Sequence, residues 1–372
     1  MATIETKTGT PLSIKLPIII VGIIGIFAIL YIGRSIFVPL VFATLLAILM
    51  NPLVNFLCNK GLNRILAITV VVLASIGLFV ALVWFISWQA TMFSDTFSNM
   101  EGKFKELYQQ IVDWVSQSFK LQPEQVNAWF NKTRTQLSEG AGNMVGQTLS
   151  VVGGLLAFTL LLPIYVFLIL YYKTLLLEFI AQLFAHEKHA VVVEVLSETK
   201  TLIQSYLVGL LMDMAIVATL NSAGLLIIGV QYAILIGLLG ALLNLIPYIG
   251  GIVAVSIPLL IALATEDDPS RAVFSILILY SVVQLLDNNF IVPRIVASKV
   301  KINALASIVI VLIGAALWGI PGMFLSIPLI AILKVIFDRV EPLKPFGFLL
   351  GDNMPPVTKQ IFKIGRRRKK AS

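Results

Sequence analysis

Charge is what this chain is short of. Lys, Arg, Asp and Glu make up 12% of its 372 residues, against roughly 25% in a soluble domain. A soluble fold of this length would leave too much apolar surface in water, which excludes an ordinary globular protein. Its one cysteine, Cys58, excludes an intramolecular disulfide. The two histidines, His186 and His189, share a polar stretch with no third ligand, which favours solvated side chains over a metal site. They also stand far from the apolar segments, so a Ser-His-Asp enzyme has no footing. No Gly-x4-Gly-Lys-Ser/Thr stretch occurs, so the chain encodes no ATP-driven pump. These absences point away from an enzyme and from any bound cofactor.

What the chain does have is one apolar run after another. Hydrophobic residues are 58% of it, and its mean hydropathy is +0.96. Runs long enough to cross a ~30 Å hydrocarbon core occupy 16–32, 36–57, 65–88, 147–172, 202–228 and 271–290. The first passes straight into the second through Gly33-Arg34-Ser35 and lacks a small-residue cleavage site, so it reads as a retained span. Two further apolar regions, 231–264 and 304–337, are interrupted. The expected fold is an all-α integral membrane protein with about six full spans plus two broken or re-entrant helical hairpins.

Residues 90–145 form the one substantial polar segment. Phe97, Met100, Phe104, Leu107 and Ile111 recur at steps of three and four, and Val126, Trp129, Phe130 and Leu137 continue an apolar face. The pattern predicts two amphipathic helices outside the bilayer, a small extracytoplasmic insert. Residues 174–200 read as a helix lying on the membrane surface. The organisation expected is membrane spans over 1–89, the insert at 90–145, a span within 146–172 and a cytoplasmic interfacial helix over 173–201. A transport region over 202–340 and a basic cytoplasmic tail over 341–372 complete it.

Orientation follows from Lys and Arg, which gather in cytoplasmic loops. The tail reads GRRRKK at 365–370; with Lys359 and Lys363 it carries seven cations to one acid, Asp352. Residues 293–303 carry three cations and no acid, whereas 264–271 carries three acids and one Arg. Both termini are then expected in the cytoplasm, with 90–145 and 264–271 outside and Asn51, Pro52 and Cys58 near the cytoplasmic end of the second span. The net charge of +8 sits in no folded basic domain, which argues against a nucleic-acid partner. The basic tail is a topology and anionic-lipid feature.

With 264–271 outside, the region 231–264 must leave and return on one face, turning at Pro247-Tyr248-Ile249-Gly250-Gly251. An arm such as 231–245 reaches only about 22 Å, short of the hydrocarbon core. The region 304–337 starts and ends inside and breaks at Trp318-Gly319-Ile320-Pro321-Gly322. Both breaks run on into Ser-Ile-Pro-Leu, at 256–259 and 326–329, 70 residues apart. Each follows a span with one acid, Asp213 before the first and Asp287 before the second. A span plus a broken hairpin, twice, entering from opposite faces, is an inverted repeat, the architecture of secondary transporters. Irregular backbone is tolerated in a bilayer only where protein or a wet cavity meets it, and free amides and half-helix ends there can hold a polar solute.

Carboxylates inside spans are costly to bury and functional by default, which singles out Asp213 and Asp287. Asp287 opens the cluster Asp287-Asn288-Asn289 and could instead cap a helix at the interface. Asn244, Gln284 and Asn288 offer amide donors and acceptors; Tyr248 is either a gate or an interfacial anchor. Pro247, Gly250, Gly251, Pro293, Gly319, Pro321 and Gly322 shape the breaks. Three readings follow: a secondary transporter of a small polar solute or ion using Asp213 and Asp287, a passive channel or facilitator with the same hairpins, and a membrane scaffold whose insert binds partners.

The stretches NLIPYIGG (244–251) and LLDNNFIVPRIVASKVKINALASIVIVLIGAALWGIPGMFLSIPL (285–329) resemble the signature of the autoinducer-2 exporter family, also called PerM-type permeases. The resemblance covers most of the chain, and Asp287 falls within the motif. It implies a transporter of the bacterial cytoplasmic (inner) membrane. Autoinducer-2 export and sodium(lithium)/proton antiport are among the activities it implies. It also implies homo-oligomers, pentamers among them.

Overall fold

The structure, a computed structural model, describes residues 12–89, 160–247, 250–265, 269–297 and 302–352. The expected insert at 90–145, the first half of the span expected at 147–172, Tyr248 and the basic end of the tail lie outside the described residues. Among the described residues all regular structure is helical. The helices are α1 (Leu12–Ile32), α2 (Arg34–Asn59), α3 (Arg64–Gln89), α4 (Leu160–Tyr171), α5 (Lys173–Gln182) and α6 (His189–Ile228), followed by α7 (Ala233–Asn244), α8 (Gly250–Thr265), α9 (Pro269–Leu286), α10 (Ala304–Arg339) and α11 (Lys344–Leu350).

Five helical stretches are long and apolar enough to cross a membrane, or six if α4 and α5, bent by 65° at their junction, count as one. Large apolar side chains cover their outer faces, such as Leu78 at 73% exposed and Ile227 at 86%. Apolar surface on that scale is tolerated in lipid rather than in water. One expected boundary is corrected. A break between an interfacial helix ending at 201 and a span starting at 202 does not exist, because α6 runs unbroken for 40 residues from His189. No proline falls within it to interrupt the backbone ladder. The bend occurs earlier, at α4–α5.

Helix α6 is the axis of the described bundle. Asp213, Val217, Asn221 and Leu225 are buried along it at steps of four, the spacing that returns a helix to one face. Its first half packs Ile203, Tyr206 and Leu207 against Val38 and Leu45 of α2 and Leu325 of α10. Phe42 and Phe324 stack at 5.6 Å between those two helices, and Gln204 Nε2 donates to Ile48 O at 2.8 Å. Its second half buries Leu225 in a core with Ala233 and Ile236 of α7, Ala254 and Ile261 of α8, and Ile276 and Tyr280 of α9.

Both interrupted regions fold back on themselves. Helix α7 has 12 residues and α8 has 16, about 18 and 24 Å of rise, each short of a ~30 Å core. In α10 the backbone leaves helical geometry at Gly319, with φ 65° and ψ −141°, a conformation open in practice to glycine alone. Ser326 Oγ then donates to Ile310 O at 3.0 Å, although sixteen residues of continuous helix would hold those groups about 24 Å apart. At each turn a glycine lets two backbones touch. A Cβ on Gly250 would lie 2.7 Å from the carbonyl carbon of Leu243, and one on Gly322 would lie 2.7 Å from that of Gly314. Trp318 Nε1 ties the second bend to α1 by donating to Leu30 O at 2.9 Å. The repeated Ser-Ile-Pro-Leu places Pro258 and Pro328 fully inside, yet Ser326 is buried while Ser256 is exposed. The two hairpins share a device and differ in their surroundings.

Candidate functional site

The site grows from where two helices lose their regularity. Beyond Leu286, α9 widens into π-type turns over Asp287–Ile291, with Val292 N–H donating to Asp287 O five residues back. Pro293, which opens a second such stretch over Pro293–Ala297, has no N–H to give an α-type ladder, a local cause for the widening. The turn carries the Asp287 side chain inward, where it is 3% exposed; Asp213 from α6 is 4% exposed. Their carboxyl groups lie close enough to hydrogen-bond each other. Asn244, the last residue of α7, donates from Nδ2 to Asp287 Oδ2 at 3.1 Å. Asp287 is thus buried, and the hydrogen bond its side chain accepts comes from Asn244 rather than from a helix N-terminus.

Around this pair lies a cavity of about 880 Å3, lined by Tyr206, Asn244, Pro247, Gly251, Gln284 and Asn288 among others. Gln284 Nε2 reaches Asn288 Oδ1 at 3.3 Å, and a Cβ on Gly251 would lie 2.8 Å from Gln284 Oε1. That glycine therefore leaves the amide room at the cavity wall. The hairpin turn, the buried acids and the amides from α7 and α9 thus meet in one place. Asp213 Oδ1 and Asp287 Oδ1 have no hydrogen-bond partner among the described residues. Leaving such an atom unpaired in a buried site costs about 1–3 kcal/mol, more for an ionised group, and packing alone offers no return for it. Two carboxyl groups in contact can hold one proton or one cation between them, and the surrounding amides can supply further ligands or bind a polar solute.

Seven of the residues singled out from sequence come together here: Asp213, Asn244, Pro247, Gly251, Gln284, Asp287 and Asn288. The others do not. Gly250 closes the turn without lining the cavity, Pro293 is exposed, and Gly319, Pro321 and Gly322 belong to the bend of α10. Sequence reasoning missed Tyr206, Asn221 and Tyr280. Asn221 was findable, being a polar side chain two four-residue steps from Asp213 on the buried face of α6.

A chain whose described residues form helices alone, with several membrane-length apolar helices and paired acids at a broken hairpin, is a multi-pass membrane protein of transporter type. The chain belongs to the family described as AI-2E family transporter, whose pattern matches residues 18–341. It is 27% identical over 324 residues to YueF of Bacillus subtilis (strain 168), covering 82% of this chain and 84% of that one. It is 26% identical over 360 residues to YhhT of Escherichia coli (strain K12), covering 94% and 96%. PerM of the same strain is 25% identical over 329 residues, covering 86% and 91%. The names of the first two class them as transport proteins and the third as a permease, in each case provisionally.

Proposed function

We propose that this protein is a secondary transporter that moves a small polar solute or ion through the cavity beside α7 and α8, driven by a cation held at Asp213 and Asp287. The observation that carries the reading is the meeting of two buried carboxyl groups, from α6 and from the end of α9, at the turn of a hairpin too short to cross a bilayer. Membrane transporters concentrate irregular backbone and buried acids at the substrate site. Export of a signalling molecule such as autoinducer-2 and sodium(lithium)/proton antiport are the two activities to assay first. On this reading the α7–α8 and α10 hairpins are re-entrant halves of an inverted repeat in the bacterial inner membrane. Both termini are cytoplasmic, and the assembled form is a homo-oligomer.

The test is flux in proteoliposomes across imposed proton and sodium gradients. Uptake or extrusion that reverses with the gradient supports coupled transport; flux indifferent to both gradients identifies a passive facilitator instead. Cysteines placed at Ser98 and Ser138 test the orientation, because extracytoplasmic positions react with an impermeant reagent in whole cells and cytoplasmic ones only after lysis.

A further inference from the structure

Away from the carboxyl pair, the last turns of α2, the start of α3 and the end of α4 meet around a cleft of about 310 Å3. Its walls include Asn51, Asn55, Cys58, Arg64 and Leu170, and none of them borders the transport cavity. The bend between α4 and α5 leaves Leu170 O at a helix end, where a carbonyl needs an outside donor. Arg64 Nη2 supplies it at 2.9 Å. Just past the bend, half-buried Lys173 donates from Nζ to buried Asn51 Oδ1 at 3.0 Å. Each cation spends one donor on these bonds and keeps others, since a guanidinium carries five N–H groups and an ammonium three. The charges acting on Lys173 are those of Lys200, on α6, and Arg64, both cations. Ion pairs elsewhere occupy Lys334, Arg339 and Lys344, but among the described residues no carboxylate pairs with Arg64, Lys173 or Lys200. Three like charges gathered without an acid repel one another, a cost that an anion in the cleft reverses.

We propose that this cleft is a binding site for the phosphate-bearing headgroup of an anionic phospholipid. Arg64 offers the phosphate its planar fork, and Lys173 and Lys200 add point charges. Arg64 is also the first residue of α3, so the positive pole of that helix acts in the same sense. The surroundings select a lipid over a soluble anion. Exposed Ile65 and Tyr172 are the chain neighbours of Arg64 and Lys173, and Leu175, Leu176 and Phe179 of α5 are exposed as well, which gives an acyl chain apolar surface to lie on. Tyr171 and Tyr172 pack edge to face at 4.8 Å, the kind of side chain that gathers at headgroup level. Basic pockets between membrane helices are places where anionic headgroups lodge. The bound phosphate neutralises the three cations and holds the α4–α5 bend against α2 and α3. The site stands whether or not the carboxyl pair couples transport.

Cys58, the chain's one cysteine and a wall of the cleft, reports occupancy without any substitution. Its alkylation by N-ethylmaleimide is followed in the purified full-length protein, delipidated in a neutral sugar detergent. Phosphatidylglycerol, phosphatidylcholine or inorganic phosphate is then added. Phosphatidylglycerol should slow alkylation severalfold and saturably. Phosphatidylcholine should not, because its choline cancels the phosphate charge, and inorganic phosphate should not, because it lacks the tail. Each cation removed, by Lys173→Gln or Lys200→Gln, should raise the lipid concentration giving half protection about fivefold. Neutralising Arg366, Arg367, Arg368, Lys369 and Lys370 of the tail to Gln should leave protection unchanged, which separates the cleft from general attraction to anionic lipid. If Lys173→Gln, which gives up the bond to Asn51, melts early, Lys200→Gln carries the comparison, since that side chain is exposed. Alkylation undiminished by phosphatidylglycerol overturns the site. Protection that persists in Lys200→Gln but vanishes with the tail charges overturns the assignment to these cations. Equal protection by inorganic phosphate overturns the lipid as the occupant.

Discussion

The fold-back of α10 depends on two backbones touching, so a single methyl group should undo it. In Gly322→Ala the new Cβ would start 2.7 Å from the Gly314 carbonyl carbon and closer still to its oxygen, where about 3.4 Å is ordinary contact. Backbone on a packed helix cannot swing aside as a side chain can, so the two arms must part by roughly an ångström, at an overpacking cost of about 1–3 kcal/mol. Ser326 Oγ, which reaches Ile310 O across the arms at 3.0 Å, is stretched by the same movement, and its bond contributes about 1 kcal/mol more. The expected total is about 2–4 kcal/mol, read as a fall of several degrees in the melting temperature of the detergent-solubilised protein. Gly22→Ala and Gly25→Ala on α1, where an added Cβ meets nothing within 4 Å, are the matched controls and should be neutral or slightly stabilising. If Gly322→Ala melts with the controls, the arms are not in contact and α10 is one continuous helix.

Ser326→Ala removes a buried hydroxyl with two carbonyl partners and should destabilise by about 1 kcal/mol, whereas Ser256→Ala, exposed and bonded only within its own helix, should be nearly silent in the same melt. Trp318→Phe removes the bond to Leu30 O and should cost about 1 kcal/mol, seen as faster proteolysis or cysteine labelling at the α10 bend. Arg339 bridges Glu194 and Glu198 of α6 at 2.9 and 2.8 Å. The pair is exposed, so Arg339→Gln should change stability little and its effect should fade in high salt; a large, salt-insensitive loss would mean a buried role.

The architecture was legible where the chain punctuates itself. Apolar runs separated by charged links gave the helices, and the Pro and Gly of 247–251 and 318–322 marked the turns, because neither residue continues a membrane helix without help. The carboxyl pair was not legible. Read as two repeats, the sequence assigns Asp213 to the first hairpin and Asp287 to the second. The fold brings both acids to the first, because α9 packs beside α6 and its widened end turns Asp287 inward. No local pattern encodes that contact, which exists only once α6, α7 and α9 are assembled. The continuity of α6 through residue 201 was obscured for a different reason. The polar stretch 174–200 reads by composition as a helix on the membrane surface, although nothing in 189–201 breaks the helix that continues into the span.

The central claim is that Asp213 and Asp287 act as one cation-holding unit, and a double-mutant comparison of gradient-driven flux tests it most directly. Asp213→Asn and Asp287→Asn keep side-chain size and hydrogen bonding but remove the charge. If the carboxyl groups share one cation, either single variant should abolish driven flux, and the double variant should be no worse than either alone, the non-additivity expected of groups that act together. Melting temperature and elution volume should stay at wild-type values, which separates loss of coupling from loss of fold. Contradiction would be plain: independent, multiplying losses in the two single variants, or a single variant that carries driven flux at the wild-type rate, would mean that the two acids touch without working together.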